Sequence, residues 1–380
     1  TSHLYYQKKY LNMLILLFLS SGLFLGWSLG ANDASSIFGT AVATKMVKFY
    51  TAAIVASIFV LMGAVVSGAG TTKTLGALGS VDMIAGAFMV ALAAAVTIFW
   101  MNRMGLPVST SQAIVGAIIG WNLFAGKTTD LNMLTRIASA WIISPLLAAL
   151  FSFILFFIFK RMMTAWKIHI FRLDAYTRIG LIVVGAFGAY SLGANNIANV
   201  MGVFVSVMPF DTLNFWALSI TGIQQLFFLG GLAIAAGIFT YSKRLMMMVG
   251  AGVVKLTPQS ALIVVFSQSL VLFLFSSKLL EAWLISHHMP TFPLVPVSSS
   301  QAVVGSILGI GLAHGGRNIR LKRLGRIASG WVTTPILAAI ISFISLFFLQ
   351  NVFDQQVVKR DNQLSTESRY DINSTLNRET

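Results

Sequence analysis

Three polar words recur, in the same order, in the two halves of this chain. Ser28-Leu29-Gly30-Ala31-Asn32-Asp33 returns as Ser191-Leu192-Gly193-Ala194-Asn195-Asn196. Pro107-Val108-Ser109-Thr110-Ser111-Gln112-Ala113 returns as Pro296-Val297-Ser298-Ser299-Ser300-Gln301-Ala302. Arg136-Ile137-Ala138-Ser139-Ala140-Trp141 returns as Arg326-Ile327-Ala328-Ser329-Gly330-Trp331. The chain is therefore a tandem duplication, and each repeated word is polar text inside an apolar surround. Matched polar interruptions in a duplicated apolar chain are the pattern of a bundle whose breaks converge on one central site.

The surround is apolar enough for hydrocarbon. Of 380 residues, 57% are apolar and 10% charged, whereas a soluble domain carries roughly 25% charged residues. Runs near the roughly 20 residues needed to cross a bilayer recur along the whole length. The expected fold class is thus an all-α polytopic membrane protein. The first run, 11–29, shows no small-residue cleavage pattern and leads straight into the first word, so it reads as a span. The net charge of +15 is spread in short clusters between apolar runs. That distribution suits cytoplasmic loops and anionic headgroups, with no call for nucleic acid. No cysteine is present, which excludes disulfides, thiolate metal sites and a thiol nucleophile.

The halves read as repeat one over 1–160, a short basic cytoplasmic linker over 161–178, repeat two over 179–350, and a polar, poorly ordered tail over 351–380. Equivalent loops differ in charge. The loop near 124–136 carries Lys127 and Arg136 with Asp130, whereas the loop near 313–326 carries Arg317, Arg320, Lys322, Arg323 and Arg326. Lys and Arg favour the cytoplasmic side, so the two loops read as lying on opposite sides. One span, 137–159, then joins the outer loop to the linker. Each half crosses an odd number of times, which makes the repeats inverted and puts both termini outside.

Four apolar pieces are too short to span: Ala34–Thr44 and Ile197–Met208 after the Gly-Ala-Asn words, and Val108–Phe124 and Val297–Leu312 after the prolines. They read as half-helices or re-entrant segments, which are tolerated at membrane depth only where protein or a watery cavity covers them. Proline suits a first helical position. Ser109, Thr110, Ser111 and Gln112 then crowd a helix start, and Ser298, Ser299, Ser300 and Gln301 do the same in the second half. Free N–H groups and hydroxyls there form two neutral, donor-rich cups for a tetrahedral oxyanion; plain helix capping is the competing reading.

Asn32, Asp33 and Ser36 carry the hard oxygens that a sodium ion takes, and Asn195, Asn196 and Asn199 are their counterparts. Asp33 is the sole carboxylate in any repeated word. It reads either as a cation ligand or as the cap of a half-helix starting at Ala34, and the two roles are compatible. The stretch 68–74, Gly-Ala-Gly-Thr-Thr-Lys-Thr, lacks the spacing of a phosphate loop and reads as a polar hinge. Gln224 and Gln225 read as cavity-lining or interhelical residues, and Gln268, Asp82 and Glu281 as interfacial. His287 and His288 fall in a loop without a carboxylate partner. No motif of an intramembrane enzyme is present, so the function classes left are an oxyanion carrier and, less well matched to dense convergent donors, an anion channel.

These words resemble those of the inorganic phosphate transporter (Pit) family, which has a Gly-Ala-Asn-Asp signature in each half and a Pro-Val/Ile-Ser-Thr-Thr-His-like block. The resemblance runs over about residues 10–350. It implies phosphate import coupled to sodium or protons, and the compact form of the chain points to a plasma membrane. It also implies inverted repeats with roughly twelve membrane segments and frequently a homodimer, with no cofactor beyond the coupling ion. The chain departs from the pattern at Asn196, which stands for Asp, at Gln112 and Gln301, which stand for histidine, and at Val60 and Val265, where members often carry glutamate. Sulfate permeases are compact relatives, so phosphate and sulfate, and sodium and proton, stay open.

Overall fold

Backbone N–H and C=O groups in hydrocarbon must bond within their own segment, and this chain meets that demand with helices. The computed structural model describes residues 2–79, 81–106, 108–166, 169–208, 210–215, 218–250, 256–316 and 319–359. Repeat one contains α1 (Ser2–Ala43), α2 (Phe49–Ser67), α3 (Ala69–Leu78), α4 (Ile84–Arg103), α5 (Thr110–Ala125) and α6 (Leu131–Trp166). Repeat two contains α7 (Ile170–Met201), a two-stranded hairpin of β1 (Leu213–Phe215) and β2 (Leu218–Ile220), α8 (Gly222–Gly250), α9 (Pro258–Leu274), α10 (Lys278–Ser286), α11 (Ser299–Ala313) and α12 (Leu321–Val352). Among the described residues, seven helices are long and apolar enough to cross a membrane. The α9–α10 pair, bent by 68°, makes an eighth if counted as one span, whereas α5 and α11 are too short. Helices α6 and α12 expose long apolar side chains such as Leu146, Phe157, Ile340 and Phe347, as lipid-facing helices do.

The Gly-Ala-Asn words do not break their helices. Helix α1 runs unbroken through Asn32 and Asp33, and α7 runs unbroken through Asn195 and Asn196 to Met201. Separate half-helices at 34–44 and 197–208 are therefore absent, and Asp33 caps nothing. The glycines serve close approach instead. A Cβ at Gly30 would stand 2.0 Å from the carbonyl oxygen of Ile234 on α8, and one at Gly193 would stand 2.1 Å from that of Val60 on α2. Only a residue without Cβ lets these backbones cross.

The Pro-Val-Ser helices cross the other half in the same manner. Gly116 on α5 faces the carbonyl of Pro335 on α12, and Gly305 on α11 faces that of Pro145 on α6. Further along, Phe124 lies 5.8 Å from Phe343, and the His314 ring lies 4.6 Å from Phe156. So α5 runs alongside α12, and α11 alongside α6. Because α6 starts just beyond the end of α5, α5 and α11 point to opposite ends of the bundle.

At the end where α5 finishes, Lys127 pairs with Asp82 at 2.7 Å. The start of the tail docks there as well, rather than staying loose: Val357 is buried, its carbonyl accepts from Trp121 Nε1 at 3.3 Å, and the Lys359 amide donates to Asp82 Oδ1 at 3.1 Å. Residues 360–380 lie outside the described residues. Phe18 of α1 packs 5.8 Å from Phe88, early in α4, so α1 begins and α12 ends at this same face. The segment 161–178 is mostly helical, since α6 runs to Trp166 and α7 starts at Ile170; Lys167 and Ile168 lie outside the described residues.

Replacing Gly30 with valine forces backbones apart at the α1–α8 crossing, and we expect the purified protein to lose its cooperative thermal transition or its folded yield. Gly76→Ala, at a helical site with open space around it, should leave the transition unchanged or raise it slightly.

Candidate functional site

Serines, not prolines, set where the two short helices begin. Ser109 is extended at φ −96° and ψ 115°, and its hydroxyl accepts from the Gln112 amide at 3.3 Å. Ser298 is extended at φ −88° and ψ 113° and accepts from the Gln301 amide at 3.2 Å. Pro296 lies two residues before its cap rather than at the first helical position, and Pro107 lies outside the described residues. A capping oxygen and an extended backbone satisfy an N-terminal donor, so the helix starts after serine. Each cap hydroxyl also meets a second serine, Ser109 to Ser111 at 3.1 Å and Ser298 to Ser300 at 3.0 Å. Thr110, Gln112, Ser299 and Gln301 are buried alongside them.

The signature asparagines pin the extended chain that leads into each cap. Asn32 Nδ2 donates to the Val108 carbonyl at 2.9 Å. Asn195 accepts from the Val297 amide at 3.1 Å and donates to the Val295 carbonyl at 3.5 Å. One residue further, the halves meet. Asp33 accepts from Asn32 at 2.6 Å, from Asn196 at 2.8 Å and from the Thr110 hydroxyl at 3.4 Å. Asn196 accepts in turn from Asn199 at 3.1 Å. Asp33 is 1% exposed, and among the described residues no lysine or arginine pairs with it. The structure thus draws α1, α5 and α7 onto one carboxylate, and Asn195 of α7 holds the chain that leads into α11.

Some assignments change. Gln268 is fully buried and donates to the carbonyl of Ser36 on α1, so it is a central residue rather than an interfacial one. A glutamine inside the apolar run of α9 was the available signal. Gln224 binds Thr221 and Gln225 binds the Asp211 carbonyl; both tie the start of α8 to its hairpin instead of lining a cavity. Within 68–74 the helix is interrupted only at Gly68, whose backbone stays right-handed helical at φ −65° and ψ −21°, and Thr71 donates to the Asn195 carbonyl at 3.1 Å. The oxygens Gln112 Oε1, Gln301 Oε1, Gln268 Oε1 and Asn199 Oδ1 are buried with no partner among the described residues. Because α1 and α7 are continuous here, the polar groups they bring to the centre are side chains. Chemically the site offers neutral donors at two caps, unused acceptor oxygens and one uncompensated carboxylate.

Residues 29–342 and 280–370 match the model of the phosphate transporter family. The chain belongs to that family of membrane transporters. It is 30% identical to the sulfate permease CysP of Bacillus subtilis over 86% of each chain. It is also 27% identical to a protein of Methanocaldococcus jannaschii described as a phosphate permease, over 84% of this chain and 93% of that one. A Pyrococcus abyssi protein of the same description is 25% identical over 87% of this chain and 96% of that one. A solved structure titled "The sodium-dependent phosphate transporter" superposes with a TM-score of 0.69 over 89% of this chain and 99% of that chain, at 21% identity, which shows a common fold.

Replacing Asn195 with leucine strands the Val297 amide and frees the Val295 carbonyl inside the bundle. Stranded buried backbone groups cost about 1–3 kcal/mol each, so a clear drop in the midpoint of thermal unfolding is expected, larger than that for Ser286→Ala at the exposed end of α10.

Proposed function

We propose that the chain is a secondary active transporter that imports inorganic phosphate together with a cation, sodium in preference to a proton, by alternating access. The observation that carries this reading is Asp33, a buried carboxylate with no cationic partner among the described residues, bonded to one helix cap through Thr110 and to the other half through Asn196. Burying an unpaired charge is costly, and a bound cation removes that cost while its charge offsets the anion beside it. Asp33, Asn32, Ser36, Asn195, Asn196 and Asn199 form the cation side. Ser109 to Gln112 and Ser298 to Gln301 form the anion side. Neutral donors bind an oxyanion without holding it as firmly as a guanidinium would, which suits release.

Coupling is required on energetic grounds. Each negative charge moved inward against 100 mV costs about 2.3 kcal/mol. The opposed directions of α5 and α11 support inverted repeats, with the site between them exposed to one side and then the other. Short basic loops at the end where α6 and α11 finish support a plasma-membrane topology with both chain termini outside. The sodium-dependent neighbour supports sodium as the cation. A homodimer is retained from the family resemblance.

Sulfate is the second reading, favoured by the CysP relationship. The chemistry of the cups favours phosphate. At neutral pH phosphate keeps an O–H that needs an acceptor, and sulfate does not. Gln112 and Gln301 each bring a buried carbonyl oxygen without a partner.

Uptake of labelled phosphate into proteoliposomes tests the proposal. Sodium-driven uptake is expected in the wild type and only background uptake in Asp33→Asn. Conductance far above carrier turnover, independent of any cation gradient, would replace the carrier with a channel. Gln301→Leu should lower phosphate uptake about tenfold, the worth of one buried hydrogen bond, and lower sulfate uptake less. Equal losses for both anions would remove the argument for phosphate.

A further inference from the structure

Among the described residues no lysine or arginine pairs with Asp33 at the central site, but a second feature carries positive charge. A cavity of about 500 Å³ opens between α3, the turn that follows α7 and the starts of α8 and α10, and its lining includes Thr72, Lys73, Gly202, Ser206, Ile223 and Lys278. No acidic residue lines it, and neither lysine has a carboxylate partner among the described residues. The hydroxyl protons of Thr72 and Ser206 already go to the Gly68 and Val81 carbonyls, so the ammonium groups are the free donors. The lysine pair is separated in sequence by most of the second repeat, and tertiary packing alone brings it together. The Lys278 stem lies 3.5 Å from where a Cβ on Gly70 would be, across the start of α3.

This cavity is tied to the centre through α3 and the turn that follows α7. Thr71, two residues before Lys73, bonds the Asn195 carbonyl. Gly202 follows Asn196 by six residues, about 9 Å along the helix axis. The two ammonium groups raise the potential at the cavity mouth, an effect that salt screens. The cavity also lies at the face where α1 begins and α12 ends, since Gly76 and Gly79 line both it and the neighbouring cleft at Lys127. That is the outer face in the proposed topology, where substrate enters.

We propose that Lys73 and Lys278 form a vestibular site for a phosphate-class oxyanion, which captures the anion before it passes to the neutral caps. The proposal rests on the transport reading. Capture by two charges raises the encounter rate and the local anion concentration, while release inward stays easy because the central donors are neutral. The same two ammonium groups would accept the phosphate of an anionic lipid headgroup, so the source of the oxyanion is the point to separate.

The test is phosphate uptake by wild type and by the double variant Lys73→Gln/Lys278→Gln, at low and high ionic strength, in vesicles of phosphatidylcholine alone and with phosphatidylglycerol added. In phosphatidylcholine the double variant should raise KM about fivefold at low salt with maximal rate unchanged, and its KM should lose most of the salt dependence of the wild type. That outcome identifies the transported anion as the ligand. A KM unchanged in phosphatidylcholine but altered when phosphatidylglycerol is present identifies the headgroup phosphate. A KM and salt dependence equal to wild type in both lipids overturns the vestibule and leaves the central site standing. A wild type that moves no oxyanion under any gradient overturns both.

Discussion

One buried carboxylate shared between the two halves organises the centre of this molecule. Asp33 is held by Asn32 and Thr110 from its own half and by Asn196 from the other. All three are neutral donors. They satisfy the oxygens without cancelling the charge, so the centre is bonded yet electrically unfinished. A salt bridge to arginine would have completed it and removed any reason to bind a cation. The substitution of Asn196 for the second signature acid follows the same logic: two adjacent buried carboxylates would repel, and the amide supplies a donor instead.

The carboxylate can hold this position because helices approach unusually closely around it. Gly30 against Ile234 and Gly193 against Val60 set the crossings of α1 with α8 and of α7 with α2. Gly116 against Pro335 and Gly305 against Pro145 set those of α5 with α12 and of α11 with α6. Each short, cap-bearing helix is thereby braced by a long helix of the opposite half. In lipid, where no hydrophobic force drives helices together, small residues that permit close backbone contact carry much of the association. The halves are interlocked rather than merely adjacent, and a displacement of α5 is transmitted to α12.

Much of this was legible in the sequence. The three repeated words located the signature asparagines, Asp33 and both serine caps, because buried polar side chains in apolar runs need partners and duplication marks them twice. The onset of α5 and α11 was legible within two residues, since extended proline-containing chain followed by serine has few conformations. The continuity of α1 and α7 was not. Gly-Ala-Asn reads locally as a break, and only the carbonyl of Ile234 or Val60, far away in the chain, shows that glycine serves packing. Gln268 was undervalued for a related reason: a lone glutamine gains its meaning from the Ser36 carbonyl of another helix.

The sequence by itself determined the membrane class, the duplication and the side-chain types of the repeated words, because hydropathy, repetition and side-chain type are properties of the chain. The tertiary structure alone decided which halves brace which, that the signatures lie within unbroken helices, and that Lys73 and Lys278 line one cavity. Those are consequences of close crossings between residues far apart in sequence, and their geometry depends on backbone distances that no local pattern encodes.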